Sequence, residues 1–215
     1  MHDDLSMSPK SAGASNAGAK DTAGSAYAER LIRLGGANWK RLIPVQAPYR
    51  WNLRRLRLGR TLDVGCGLGR NLAHLDGNGV GVDHNPQCVA TARAAGLTAY
   101  TPAEFAASAE ARPGTFDSML VAHVLEHLPT AAADRLVTEY LPYLRPAGRV
   151  VLITPQERGF ASDETHVRFV DDAELIQTAG RLGLAVEHAY SFPFPRAVGR
   201  VFPYNEFVLL ARRPG

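Results

Sequence analysis

The sequence is poor in cysteine, in long apolar runs and in charge of one sign. Its 215 residues include two cysteines, Cys66 and Cys88. That excludes a disulfide framework and a multi-cysteine zinc site, and makes a reducing, cytoplasmic setting the expectation. No run of 18 apolar residues occurs, so a membrane span is not expected. The start, Met1-His2-Asp3-Asp4, is acidic with no apolar stretch after it, so a secretory leader is not expected either. The 24 Lys and Arg against 21 Asp and Glu leave a net charge of +3, too little to imply a nucleic-acid partner by itself.

What remains is an ordinary globular composition, 46% hydrophobic and 21% charged, at a length that suits one domain. Residues 1–26 hold 14 Ala, Gly or Ser without an apolar period, which predicts a flexible tail and a domain running from Tyr27 to the end, 27–215. Between residues 30 and 60 lie nine basic side chains and no acid, with Trp39, Tyr49 and Trp51 among them. An amphipathic helix with wet arginines is the simpler reading of that segment. A surface that stacks bases and meets phosphates is the alternative.

Seven short apolar runs are expected as strands: Thr61–Val64, Gly79–Val82, Thr98–Tyr100, Phe116–Val121, Arg149–Ile153, Ala185–Tyr190 and Phe207–Ala211. Helical patterns fall between most of them: Arg70–Leu75, Pro86–Ala95, Ala103–Ala109, Ala131–Leu144 and Asp171–Leu182. Such alternation predicts βαβ units around a parallel sheet. Thr130 is expected to cap the fourth helix, and Pro146-Ala147-Gly148 to end it. The last two strands are separated by Ser191–Glu206, with three prolines, which predicts a long excursion able to cover a site.

The strongest local signal is Leu62-Asp63-Val64-Gly65-Cys66-Gly67-Leu68-Gly69-Arg70. A buried strand runs into glycines at alternate positions and then a helix; bare backbone there lets a ligand lie close. Asp83 ends the next strand, where a carboxylate can accept from both hydroxyls of a ribose. The spacing departs from the dinucleotide pattern, and the acid Asp63 entering the loop suits a cationic ligand better than a pyrophosphate.

At these residues the sequence resembles the class I S-adenosylmethionine-dependent methyltransferases. The resemblance implies a Rossmann-like α/β fold with a seven-stranded sheet, order 3-2-1-4-5-7-6, strand 7 antiparallel and helices on both faces. It also implies that Asp63, Gly65, Cys66, Gly67 and Gly69 hold the methionine end of the cofactor and that Asp83, with His84 beside it, holds the ribose. Ala103 and Glu104 would lie by the adenine, Val121 and Ala122 by the sulfonium, and Arg50 would reach the cofactor carboxylate.

A second cluster, His123-Val124-Leu125-Glu126-His127-Leu128-Pro129, follows the fourth strand, and His166 follows the fifth. On a helix, His123, Glu126 and His127 would share one face at i, i+3 and i+4. Three adjacent potential ligands suit a divalent metal at Glu126, His127 and His166, with His123 as the fourth ligand. The segment is similar to Glu-Val-Leu-Glu-His-Val-Pro of the ubiquinone-pathway O-methyltransferases, and to a Glu-x-x-Glu-His of small-RNA 2′-O-methyltransferases. Both groups use a divalent cation, usually magnesium, to hold neighbouring hydroxyls. Here His123 stands where they have Glu, which leaves two options open: a softer, manganese- or zinc-tolerant site, or His123 as the catalytic base.

The implied chemistry is cation-assisted O-methylation, with magnesium or manganese as the metal. The acceptor is expected to be a small molecule or an oligosaccharide, with a diol on a sugar or polysaccharide precursor as the preferred class. The C-terminal half is similar to compact actinobacterial methyltransferases, and Tyr190, Phe192, Phe194, Arg196, Tyr204 and Asn205 can be read as a sugar platform or equally as a hydrophobic staple. An RNA ribose, a catechol-like ring and a non-catalytic cofactor-binding module are the alternatives; neither a nucleic-acid partner nor a membrane is expected.

Overall fold

Alternation along the central strands decides the architecture. On β4 (Phe116–Ala122), Met119 and Val121 enter one hydrophobic cluster, while Leu120 and Ala122 enter another. On β5 (Leu144–Pro155), Val150 and Leu152 face the first cluster and Val151 and Ile153 the second. Strands that bury both faces need covering layers on both sides. In this computed structural model, which describes residues 46–215, those layers are helices. The expected tail 1–26, the boundary at Tyr27 and the basic residues Arg30, Arg33, Lys40 and Arg41 lie outside the described residues.

The described chain runs α1 (Ala47–Arg55), β1 (Thr61–Val64), α2 (Arg70–His74), β2 (Gly79–Val82), α3 (Pro86–Ala94), β3 (Ala99–Tyr100) and α4 (Pro102–Ala107). After β4 come a 3-10 turn (Leu125–His127), α5 (Thr130–Tyr140), β5, α6 (Glu157–Phe160), α7 (Asp172–Arg181), β6 (Ala185–Phe192), a second 3-10 stretch (Arg196–Arg200) and β7 (Glu206–Arg212). The sheet order is β3-β2-β1-β4-β5-β7-β6, with β7 antiparallel to both neighbours. The expected topology is therefore present.

One face of the sheet is covered by α4, α5 and α7 through Phe105, Ala133, Val137, Leu175 and Ala179. The other is covered by α1, whose Leu53 joins Leu120, Ile153, Phe192 and Val208. The described part of the basic segment is not a bare cationic strip. Arg54 pairs with Asp76, Arg60 with Glu110 at 2.7 Å, and Arg55 stacks over Trp51 and Tyr190.

Two helix-end expectations are corrected. The fourth expected helix stops at Tyr140, not Leu144, because Pro142 lacks an N–H and turns the chain into a 3-10 segment, Leu141–Tyr143. Thr130 lies inside that helix, and Pro129 takes the cap position without a side-chain cap. Asp171 does cap α7, accepting from the Glu174 N–H at 2.9 Å.

Candidate functional site

Parallel strands end together, so β1, β2, β4 and β5 deliver their following loops to one edge of the sheet. β7 runs the other way, so its first residue, Glu206, sits at that same edge, opposite Pro155. The residues of interest gather there.

The loop after β1 is fastened before any ligand arrives. The Gly65 and Cys66 N–H groups donate to the Val82 carbonyl at 2.8 and 3.1 Å, and the Gly67 N–H donates to Asp83 Oδ2 at 2.8 Å. Asp83 Oδ1 accepts from the Asn85 N–H at 2.8 Å. Gly65 has φ +77°, and a Cβ there would meet Val124 Cγ2 at 2.3 Å. Its missing side chain therefore lets the loop after β4 close against the glycine loop.

Asp63 is fully buried, and neither carboxylate oxygen has a hydrogen-bond partner among the described residues. Burial first, and then the nearby Asp83 carboxylate, raise its pKa to about 7, while Arg70 and Asn71 pull it down.

The flanking expectations separate. Cys66 turns its side chain into the core: its Sγ would lie 2.6 Å from a Cβ on Gly81, and burial pushes the thiol far up. Only its backbone faces the loop. Glu104 closes a capping box with Thr101 and pairs with Arg93 at 2.9 Å; the Thr101 N–H and then Arg93 hold its carboxyl near 2. The Glu104 carboxylate, expected by the adenine, is thus engaged by the cap and Arg93, and Ala103 beside it is exposed. His84 is exposed, its Nδ1 3.6 Å from Asp83 Oδ1. Ala122 ends β4 in the cluster under α1, whereas the Val121 side chain lies in the opposite core and away from the loop. Arg50 lies on the exposed side of α1.

The histidine–glutamate cluster is built by a turn and a backbone clasp. After β4 the chain reverses at His123, which has φ +59°, and then makes the single 3-10 turn Leu125–His127. The Glu126 carbonyl accepts from the N–H groups of Val167 and Arg168 at 2.9 and 3.1 Å. That clasp lays the loop after β5 on the turn and brings His166 to Glu126. The ligand atoms of Glu126, His127 and His166 all lie within 4.8 Å of one another. Glu126 is fully buried, with neither carboxylate oxygen hydrogen-bonded.

Each histidine in the group has its Nδ1 against a carbonyl: His127 faces Thr165 O at 3.3 Å, His166 faces Phe160 O at 2.7 Å. A carbonyl only accepts, so Nδ1 carries the hydrogen and Nε2 keeps its lone pair. Burial, the largest influence, lowers the basicity of His127, which favours the neutral ligating form.

His123 departs from its expected place. It is not on a shared helix face, because the turn begins only at Leu125, and it is outside the three-residue group. Its Nε2 lies 2.9 Å from Glu206 Oε1 and its Nδ1 3.4 Å from Glu126 Oε1. Burial alone would lower its basicity; hydrogen bonding and charge from Glu126 and Glu206 reverse this and raise it to about 10. His123 thus lies between two carboxylates that favour its protonated form, and outside the three-residue group. Glu206 was missed in the sequence. The available signal was the antiparallel β7, whose opening residue must lie at the ligand edge.

The expected sugar platform is also corrected in part. Asn205 is buried in a network with Gln156 and Ser191, Tyr190 donates to Asn52 at 2.8 Å, and Arg196 pairs with Glu157 and lies over Phe207. Phe192 is buried under Tyr49 and Trp51. Of the aromatic rings among the six, Phe194 and Tyr204 stay substantially exposed. These residues pin the excursion down and leave little open aromatic surface.

Residues 62–152 match the family described as methyltransferase domain. A ubiquinone biosynthesis O-methyltransferase from Xanthomonas euvesicatoria pv. vesicatoria is 30% identical over 121 residues, 53% of this chain and 50% of that protein. The chain spans about half the length of the curated relatives it matches. Among solved structures, an S-adenosylmethionine-dependent methyltransferase from Archaeoglobus fulgidus has a TM-score of 0.61 at 18% identity, over 77% of this chain and 93% of that one. The magnesium protoporphyrin IX methyltransferase of Synechocystis PCC 6803, solved with S-adenosylhomocysteine, has a TM-score of 0.62 at 17% identity, over 89% and 96%. Residues 62–152 thus match a methyltransferase domain, and the fold around them is similar to that of solved S-adenosylmethionine-dependent methyltransferases.

Proposed function

We propose that this protein is an S-adenosylmethionine-dependent, divalent-cation-assisted O-methyltransferase acting on one hydroxyl of a vicinal diol, carried by a sugar or polysaccharide precursor. The observation that carries the reading is the Glu126–His127–His166 group, with its buried carboxylate lacking any hydrogen bond. A buried carboxylate is costly unless it is paired; the His123 ring approaches Glu126 Oε1 at 3.4 Å, and the His127 and His166 rings beside it complete a donor set for a cation. One carboxylate and two imidazoles suit manganese or zinc, and magnesium less well. Nitrogen and carbon acceptors have no need of such a group, whereas a hydroxyl does.

The residues at the glycine loop fit S-adenosylmethionine. Asp63 offers unpartnered oxygens to the cofactor ammonium, and the glycines offer bare backbone. Asp83 has lone pairs left for ribose hydroxyls after its two backbone bonds. The bound cofactor supplies an electrophilic methyl group on sulfur. Glu126, His127 and His166 would hold the cation, which would acidify and orient the acceptor hydroxyl. The closed loop between Gly65 and Val124 keeps the two sites adjacent, so a hydroxyl can be aligned with the methyl. In its neutral form, His123 would be the ring beside this group able to take the hydroxyl proton.

The test is methyl transfer from radiolabelled cofactor to a panel of diols, with and without chelator. Loss on chelation and recovery with manganese or magnesium is expected; undiminished transfer in excess chelator would refute the cation. A catechol-like acceptor is the second reading, favoured by the identity to the ubiquinone-pathway enzymes, and the same panel separates it from a sugar.

A further inference from the structure

The opposite end of the sheet, where the parallel strands begin, holds a feature with no part in the chemistry above. Arg57, Arg145, Arg149 and Arg212 line one open cavity there, of about 410 Å³. They come from three stretches of chain: the turn between α1 and β1, the start of β5 and the end of the antiparallel β7. The length of β4 separates this cavity from the ligand edge by about 20 Å. We propose that it is a binding site for a small phosphorylated anion, a phosphate monoester or a diphosphate.

The charge of the cavity is unbalanced. Arg145 pairs with Asp117 at 3.1 Å, and Arg149 and Arg212 share Glu187. Asp117 is further engaged by the Arg60 N–H at 2.8 Å. Two carboxylates against four guanidinium groups leave a surplus of two positive charges, which matches a phosphate monoester near neutral pH.

Hydrogen-bond donors are left over as well. Arg149 gives Nη1 to the Leu56 carbonyl at 2.6 Å, and Arg212 gives Nη1 to the Ala147 carbonyl at 3.0 Å. These bonds anchor both side chains. The Nη2 groups of both, the two Nη groups of Arg145 and the whole Arg57 side chain make no hydrogen bond among the described residues. Planar guanidinium groups brought together from separate strands suit an oxyanion, each able to meet two of its oxygens.

The arrangement is also kept at a cost. Arg149 and Arg212 are direct partners across the β5–β7 ladder, where like charges oppose pairing. Arg57 (φ +50°) and Ala147 (φ +57°), both in the cavity lining, keep left-handed backbones, and such strain collects at ligand clamps. The cavity has the size of a small-molecule site. An extended polyanion would call for a basic strip instead, and the surplus does not continue through Arg60, which is paired with Glu110.

The experiment is calorimetric titration of the metal-free full chain with inorganic pyrophosphate at low salt, with and without S-adenosylhomocysteine. One-to-one binding is expected, unaffected by S-adenosylhomocysteine. Arg57→Ala and Arg145→Ala should each weaken it at least about tenfold, the worth of one charged hydrogen bond. Both should keep S-adenosylhomocysteine affinity within twofold and Tm within a few degrees. No saturation in the wild type, or wild-type affinity in both variants, would overturn the proposal. Competition by S-adenosylhomocysteine would move the anion to the glycine loop and overturn it too. So would tighter binding of a single-stranded oligoribonucleotide or of phosphatidylglycerol vesicles, lost in the same variants, which would make the arginines a surface for a polymer or a membrane. Should Arg145→Ala fail to fold, because Asp117 loses its ion-pair partner, Arg57→Ala decides: its side chain forms no hydrogen bond or ion pair that the fold could lose.

Discussion

Replacing Asp63 by Asn tests the most charged assumption about the site: that the fold keeps an acid buried for the benefit of a cationic ligand. In the unfolded chain this carboxyl titrates at 3.8; in the folded protein burial and Asp83 raise it to about 7. Because the folded value is the higher, the stability associated with the protonated form is complete below pH 4. It is lost as pH rises through about 7. A gap of about three powers of ten, at about 1.4 kcal/mol each, amounts to about 4 kcal/mol. Asn has the shape of the protonated acid and never ionises, so Asp63→Asn should stabilise the ligand-free protein at pH 8 by up to that amount. For a chain of this size the rise in Tm is on the order of 10 °C. The difference between the two proteins should shrink toward pH 4. The same substitution removes the partner of the cofactor ammonium, so affinity for S-adenosylhomocysteine should fall at least about tenfold, the worth of one charge-assisted hydrogen bond. In the wild type, affinity should weaken below pH 7, by up to about tenfold per pH unit, because binding requires the ionised form. Calorimetric titration and thermal melts between pH 5 and 8.5 measure both effects. An Asn variant that is less stable than wild type at pH 8 and still binds tightly would refute the argument, by showing that Asp63 is structurally partnered and that the ammonium goes elsewhere.

Other outcomes follow from single contacts. His127→Ala and His166→Ala should each lower Mn²⁺ affinity at least about tenfold in calorimetry and leave S-adenosylhomocysteine affinity unchanged, since each removes one of three donors. Gly65→Ala, with φ +77° and a new methyl 2.3 Å from Val124 Cγ2, should cost about 1–3 kcal/mol and lower the calorimetric Tm by several degrees. Asn205→Ala removes the partner of Gln156 Oε1 and of the Phe194 N–H; it should cost about 1–3 kcal/mol and speed proteolytic cleavage between residues 193 and 205.

Much of the scaffold was legible because it depends on local rules. The apolar run Thr61–Val64 reads as a strand and Pro86–Ala95 as a helix, and both are present, the helix as Pro86–Ala94. The glycine loop and Asp83 were legible because bare backbone and a strand-end acid are each dictated by residue type. Sequence alone also identified Glu126, His127 and His166 as a possible group, even though 39 positions separate His127 from His166.

The tertiary structure decided the rest, because what a polar side chain does depends on who faces it. Glu104 reads as a ligand residue in isolation, but Thr101 and Arg93 engage it within the fold. The platform aromatics were ambiguous until Asn52, Tyr49 and Gln156 were seen to hold that region. The helix expected around His123 gave way to a left-handed residue, and with it went the shared face. The sequence thus determined which chemistries the chain can hold, through glycine, acid and histidine at spaced positions. The surroundings of His123 were set by Glu206, which is 83 residues away along the chain and arrives beside the ring because β7 runs antiparallel. Charge and burial act through space, and only the folded sheet defines that space.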